Sequence, residues 1–96
     1  MAILEKVKTQ LDISEGDYSQ DEKINLIIDE GKARLRKTNP SLTDEDFENP
    51  TQARFLLLQY CLYAFSNAAE MFFVNYSAEI LLLRQEYEVN SYEPEE

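Results

Sequence analysis

The chain has 96 residues, 44% of them apolar, and a formal net charge of −10 with no histidine. That length fits one domain with a modest core, and the apolar share is too high for a disordered chain. The acidic balance excludes an overall basic footprint for duplex DNA and attraction to an anionic membrane leaflet, while two glycines and three prolines leave little material for hairpin turns.

The start carries Glu5, Lys6 and Lys8, so no signal-peptide pattern is expected there. A first helix is expected over residues 2–11, because Ile3, Leu4, Val7 and Leu11 share one face. Gly16 marks a loop over residues 12–18. Ser19 followed by Glu22 has the spacing of a capping box and predicts the start of a second helix. Its stripe is Ile24, Ile27, Ile28, Gly31 and Leu35. Gly31 is either a point of close helix approach or a tolerated glycine, costing about 1 kcal/mol relative to Ala. Lys32 and Arg36 flank Leu35 on one side, and Arg34 and Lys37 on the other. That arrangement suits cations at a helix C-terminus with their stems laid over the core better than a phosphate-binding patch.

Residues 39–50 read as a connector, with Pro40 closing the second helix and Pro50 opening the third. Thr43 with Asp46 is expected to cap one short helical turn, pinned to the core by Leu42 and Phe47. Asp44, Asp46 and Glu48 alternate as in a calcium loop. Asn49 stands where that loop needs glycine and Phe55 where it needs an acid, so a solvated acidic loop is expected and no metal.

The third helix is the longest expected element. Asn49 would be its N-cap, Pro50 its first residue and Phe73 its end. Apolar residues nearly encircle it and leave a narrow polar stripe of Gln52, Gln59, Ser66, Tyr63 and Glu70. Such a helix is central and buried. Its charge-free run is too short and too polar to span a bilayer. Cys61 has no basic neighbour in sequence and reads as a buried inert thiol rather than a nucleophile. With no histidine and no Gly-rich phosphate loop, no catalytic, cofactor-binding or metal-binding residue is expected, and the chain does not read as an enzyme.

A joint at residues 74–76 leads to a fourth helix over residues 78–87, capped by Asn75 or Ser77. Leu81, Leu82 and Leu83 are consecutive there. At about 100° per residue they sweep about 200° of circumference, more than one small core absorbs from one side. The apolar supply around the last two helices therefore predicts an association surface, unless the loop holding Leu42 and Phe47 closes the gap. The chain divides into a helical domain, residues 1–87, and an acidic tail, residues 88–96. In the tail, Tyr87 and Val89 alternate with Glu86, Glu88 and Asn90. That period of two suggests either a strand added to a partner's sheet or simple fraying. The expected fold class is all-α: a small bundle of four main helices, with a long central third helix and a short helical turn before it.

The stretch "LLLQYCLYAFSNAAEMFFVNYSAEILLLRQEYEV" resembles the small head–tail connector proteins of tailed bacteriophages and prophages, also called adaptor or DNA-packaging connector proteins. The resemblance extends over almost the whole chain, through an amphipathic first helix, "LDIS", a capped second helix, a Pro-bounded loop and "EILLLRQEYEV". Its motifs are apolar patterns with one Leu-Arg pair, Leu83-Arg84. The resemblance implies a helical subunit that assembles as a ring, typically of twelve copies. Such a ring docks below the portal protein in the virion neck after DNA packaging, the protein residing in the host bacterial cytoplasm during assembly. It then receives the next neck or tail-completion protein, and DNA passes its lumen without specific binding. It also implies that a neighbouring subunit covers the second leucine face, that Arg84 pairs with a neighbour's acid, and that the chain from Tyr87 onward reaches the portal. The interface residues expected on these grounds are Leu81, Leu82, Arg84, Tyr87, Val89 and Tyr92. A different reading of the charge is an acidic inhibitory module that mimics DNA. The spread of acids over loops, termini and several helix faces weakens it.

Overall fold

The computed structural model describes residues 3–14 and 16–92, with side chains through Glu88. Among the described residues the elements are all helices: α1 (Ile3–Gln10), α2 (Asp21–Thr38), α3 (Asp44–Glu48), α4 (Gln52–Phe65), α5 (Ala69–Asn75) and α6 (Ser77–Tyr92). None of these helices is long and apolar enough to cross a membrane.

α2 and α4 form the centre, and the contact works because α2 carries Gly31. A Cβ at that position would stand 2.7 Å from Leu57 Cδ1 and 2.7 Å from Tyr60 Cδ2. The glycine is thus a point of close approach. Ile24, Ile28 and Leu35 line the same face of α2 and meet Ala53, Leu56, Leu57, Tyr60 and Cys61 of α4 in one buried cluster. α1 adds Val7, the connector adds Leu42 and Phe47, α5 adds Phe72 and α6 adds Leu83.

α1 is fastened by charge as well as by packing. Lys8, only 4% exposed, reaches Asp21 at 2.9 Å, and its ammonium lies 4.9 Å from the centroid of the Tyr18 ring. Asp21 begins α2, where a carboxylate also favours the helix dipole. The expected Ser19–Glu22 capping box does not form. The N-cap residue is Gln20, without a side-chain cap, because Ser19 turns back and donates from both N and Oγ to Asp17 Oδ1, at 3.0 and 2.7 Å. Those two bonds hold the Asp17 carboxyl below its ordinary range.

The short turn before α4 forms as its sequence predicts. Thr43 Oγ1 accepts from Asp46 N, and Thr43 N donates to Asp46 Oδ2 at 2.8 Å. Phe47 and Leu42 are buried beneath it. The start of α4 differs from expectation. Asn49 is the C-cap of α3, and Thr51 is the N-cap of α4, accepting from Arg54 N at 3.2 Å. Thr51 also donates its hydroxyl to the Asp46 carbonyl. Pro50 therefore precedes the cap instead of opening the helix.

The long third helix is two helices. Asn67 adopts φ 61°, and Ala68 N donates to Tyr63 O at 2.8 Å while Asn67 N donates to Ala64 O at 2.9 Å. This is a helix stop with a left-handed residue, a conformation that Asn tolerates better than most side chains. The chain then turns through α5, which lays Phe72 against Tyr60, Tyr63, Phe73 and Tyr76 in an aromatic cluster. Tyr76 alone separates α5 from α6. Neither expected cap acts there: Asn75 donates to the Tyr63 hydroxyl at 3.1 Å, and Ser77 Oγ donates to the Val74 carbonyl. α6 runs on through Tyr92, so residues 87–90 are helical and the strand-like period of two is not adopted. Residues 93–96, the rest of the expected tail, lie outside the described residues.

Replacing Gly31 by Ala tests the central contact. A gain of about 1 kcal/mol in helix propensity is set against an overpacking cost of about 1–3 kcal/mol. A net loss of about 1 kcal/mol in urea unfolding is expected, and a stabilised Gly31→Ala protein would remove the close approach from the account.

Candidate association surface

α6 decides which apolar groups remain outside. Its inward side is set by Leu83, 5% exposed, together with Ile80 and Tyr87, which pack on the core. One residue of a consecutive triplet facing inward turns the other two away, since each step rotates about 100°. Leu81 is accordingly 51% and Leu82 58% exposed. α5 adds Met71 at 50% and Val74 at 67%, and α4 adds Phe55 at 42%. The connector loop does not close over these groups, because Leu42 and Phe47 are themselves inside. Beside Leu81, an open apolar groove of about 270 Å³ is lined by Phe73, Ile80, Thr38, Ser77 and Arg84.

The other expected interface residues are placed differently. Arg84 is exposed and bonds Glu88 one turn on, Nε to Oε2 at 3.1 Å. Such an exposed pair contributes little to folding and is free to exchange partners. Tyr87 is half-buried and faces its own chain, with the Asp46 carboxylate near its hydroxyl. Val89 and Tyr92 lie in the last turns of α6, with side chains outside the described residues. Met71, Val74 and Phe55 were not among the expected residues. In sequence they belong to a helix that reads as apolar all round, and only the break at Asn67 separates inward from outward positions.

The remaining candidate groups are engaged structurally. Arg36 and Lys32 reach Asp44 at 2.7 and 3.7 Å and hold its carboxyl below the usual range. Both cations also lie over the Phe47 ring. Arg34 lies over Tyr60 and Phe73, 4.0 Å from Glu70. Lys32, Arg34 and Arg36 of the basic cluster therefore cover core aromatics. Cys61 is buried, and burial pushes its thiol up to about 12.

No family model, curated protein or solved structure matches the chain. What the molecule presents is exposed apolar side chains on α5 and on α6, with an apolar groove beside Leu81.

The Tyr87–Asp46 contact has a pH signature. Burial and the neighbouring carboxylate push the tyrosine up to about 12 from an ordinary value of 10.0. The raised value stabilises the fold fully below pH 10, and that contribution is lost as pH climbs through 12. Tyr87→Phe is expected to lose about 1 kcal/mol at neutral pH and to weaken less than wild type between about pH 10 and pH 12. Urea unfolding across that range measures both; equal alkaline losses in the two proteins would separate Tyr87 from Asp46.

Proposed function

We propose that the chain is a structural neck protein of a tailed bacteriophage or prophage, a head–tail connector that assembles as a ring of twelve copies below the portal. The exposed apolar surface of α5 and α6 supports this reading most directly. Met71, Val74, Leu81 and Leu82 are each half or more exposed, and Leu81 stands beside an open apolar groove, the kind of surface that supports association. In this reading the helices act as a four-part bundle, with α4 and α5 as its broken central element and α3 as the short turn before it. A neighbouring copy covers the leucine face. The end of α6 and the chain beyond it reach the portal, the opposite rim receives the next neck or tail-completion protein, and assembly takes place in the host bacterial cytoplasm. The charge of −10 per copy fits a lumen that repels passing DNA and keeps it from adhering, with the repulsion screened over about 8–10 Å.

The test is mass by light scattering of the chain with the portal protein of its own phage. A gain equal to a ring of copies is expected. Leu81→Glu with Leu82→Glu abolishes that gain without lowering thermal stability, because both side chains stand mostly in solvent. A portal that gains no mass ends the reading, as does strong retention of the chain on duplex DNA at moderate salt.

A further inference from the structure

The outward face of α6 consists of Ala78, Leu81, Leu82 and Gln85, all exposed. Ala78, Leu82 and Gln85 are four and three residues apart, the spacing of a helix that packs along another helix. One border is acidic and the other is an ion pair. Glu79 and Glu86 follow one side, and Glu88, bonded to Arg84, stands on the other. The acidic border disfavours an antiparallel contact of α6 with α6, in which Glu79 and Glu86 of one copy face Glu86 and Glu79 of the other. Like charges placed opposite one another cost several kcal/mol, and each copy already carries −10.

The surface that receives α6 must be apolar and free of acids, and α4 offers one. Residues 55–69 contain no Asp, Glu, Lys or Arg. On the side of α4 away from its buried residues lie Phe55, Leu58, Leu62 and Ser66, all partly or largely exposed. Leu62, Tyr63, Ser66 and Ala68 line an open depression of about 240 Å³. At the same end of α4, Lys23 Nζ stands 4.7 Å from the centroid of the Phe65 ring, in a hollow shared with Arg34, Glu30 and Glu70. Lys23 is a cation available to the carboxylates on the acidic border of α6.

We propose that the leucine face of α6 in one copy seats on the open, uncharged face of α4 in the next copy, head to tail. Because the two faces differ, the contact repeats from copy to copy and closes into a ring when the rotation allows. The pairwise contact stands on the surfaces alone; its closure into a neck ring rests on the connector reading above.

Two variants test it, Leu82→Glu on the donor face and Leu62→Glu on the acceptor face, each checked for native helicity by circular dichroism. If Leu62→Glu unfolds, Leu62→Gln takes its place. Sedimentation equilibrium of the wild type is expected to show association by about 1 mM, a free energy near −4 kcal/mol. Each variant alone stays monomeric. Their equimolar mixture forms dimers and stops there, since each partner supplies its one intact face. Three results overturn the proposal: Leu62→Glu associating like wild type, a mixture that stays monomeric where wild type associates, or wild type monomeric through about 1 mM. A chain that binds portal but fails the mixing experiment loses this contact and keeps the connector role. The opposite pair of results keeps the contact and removes that role.

Discussion

The close approach of α2 to α4 at Gly31 sets the rest of the molecule. With no side chain at residue 31, Leu57 and Tyr60 reach the backbone of α2, and the two helices share one buried layer. Tyr60 is 1% exposed and contacts Phe72 and Phe73 edge-on. The position of α5 therefore follows from the position of α4 against α2. A larger spacing would lift Tyr60 outward and with it the aromatic cluster on which α5 rests. Core packing at native density leaves little slack for such a shift.

From α5 the constraint passes to α6, and Asp46 fixes the other end. Its carboxylate accepts from Thr43 N to close the capping box of α3 and also meets the Tyr87 hydroxyl. Its carbonyl accepts the Thr51 hydroxyl at the start of α4. One residue thus joins the connector, the central helix and the last helix. With Leu83 buried near one end of the contact and Tyr87 held near the other, the rotation of α6 about its axis is set. Leu81 and Leu82 then have only solvent to face. Their exposure follows from the internal contacts of the fold.

Much of this was legible in the residues. The stripe of α2, the Thr43–Asp46 box, the burial of Leu42 and Phe47, and the surplus of leucine on the last helix all follow from spacing, because each depends on local periodicity or on a side chain reaching three residues along. Two of the misses, at Ser19 and at Asn49, share a cause: two plausible partners competed for one role. Ser19 had Glu22 within reach and bonded Asp17. Asn49 and Thr51 both suit an N-cap, and Thr51 prevails because its hydroxyl also reaches the Asp46 carbonyl. Tyr87 reads as a free aromatic at a chain end until the fold brings Asp46 to it. The break at Asn67 was hidden because apolar residues continue on both sides of it. Only its left-handed backbone marks the stop.

In the proposed assembly, the exposed surface also bounds how strongly copies would hold one another. Fully burying a leucine or methionine side chain contributes about 1.5–3 kcal/mol. Leu81, Leu82, Met71 and Val74 are about half to two-thirds exposed, so burying what remains of all four supplies roughly 3–7 kcal/mol at that rate. Lost translational and rotational freedom opposes association by an estimated 4–15 kcal/mol, and the carboxylates add repulsion. A single contact is therefore weak. In a closed ring every copy makes two such contacts, and the last copy bonds on both sides while losing its freedom once. A symmetric platform that binds each copy separately lowers the cost further by raising the effective concentration of neighbours. Surfaces this modest would hold a pair only near millimolar concentration, and a template that makes their contributions add would hold a ring well below it.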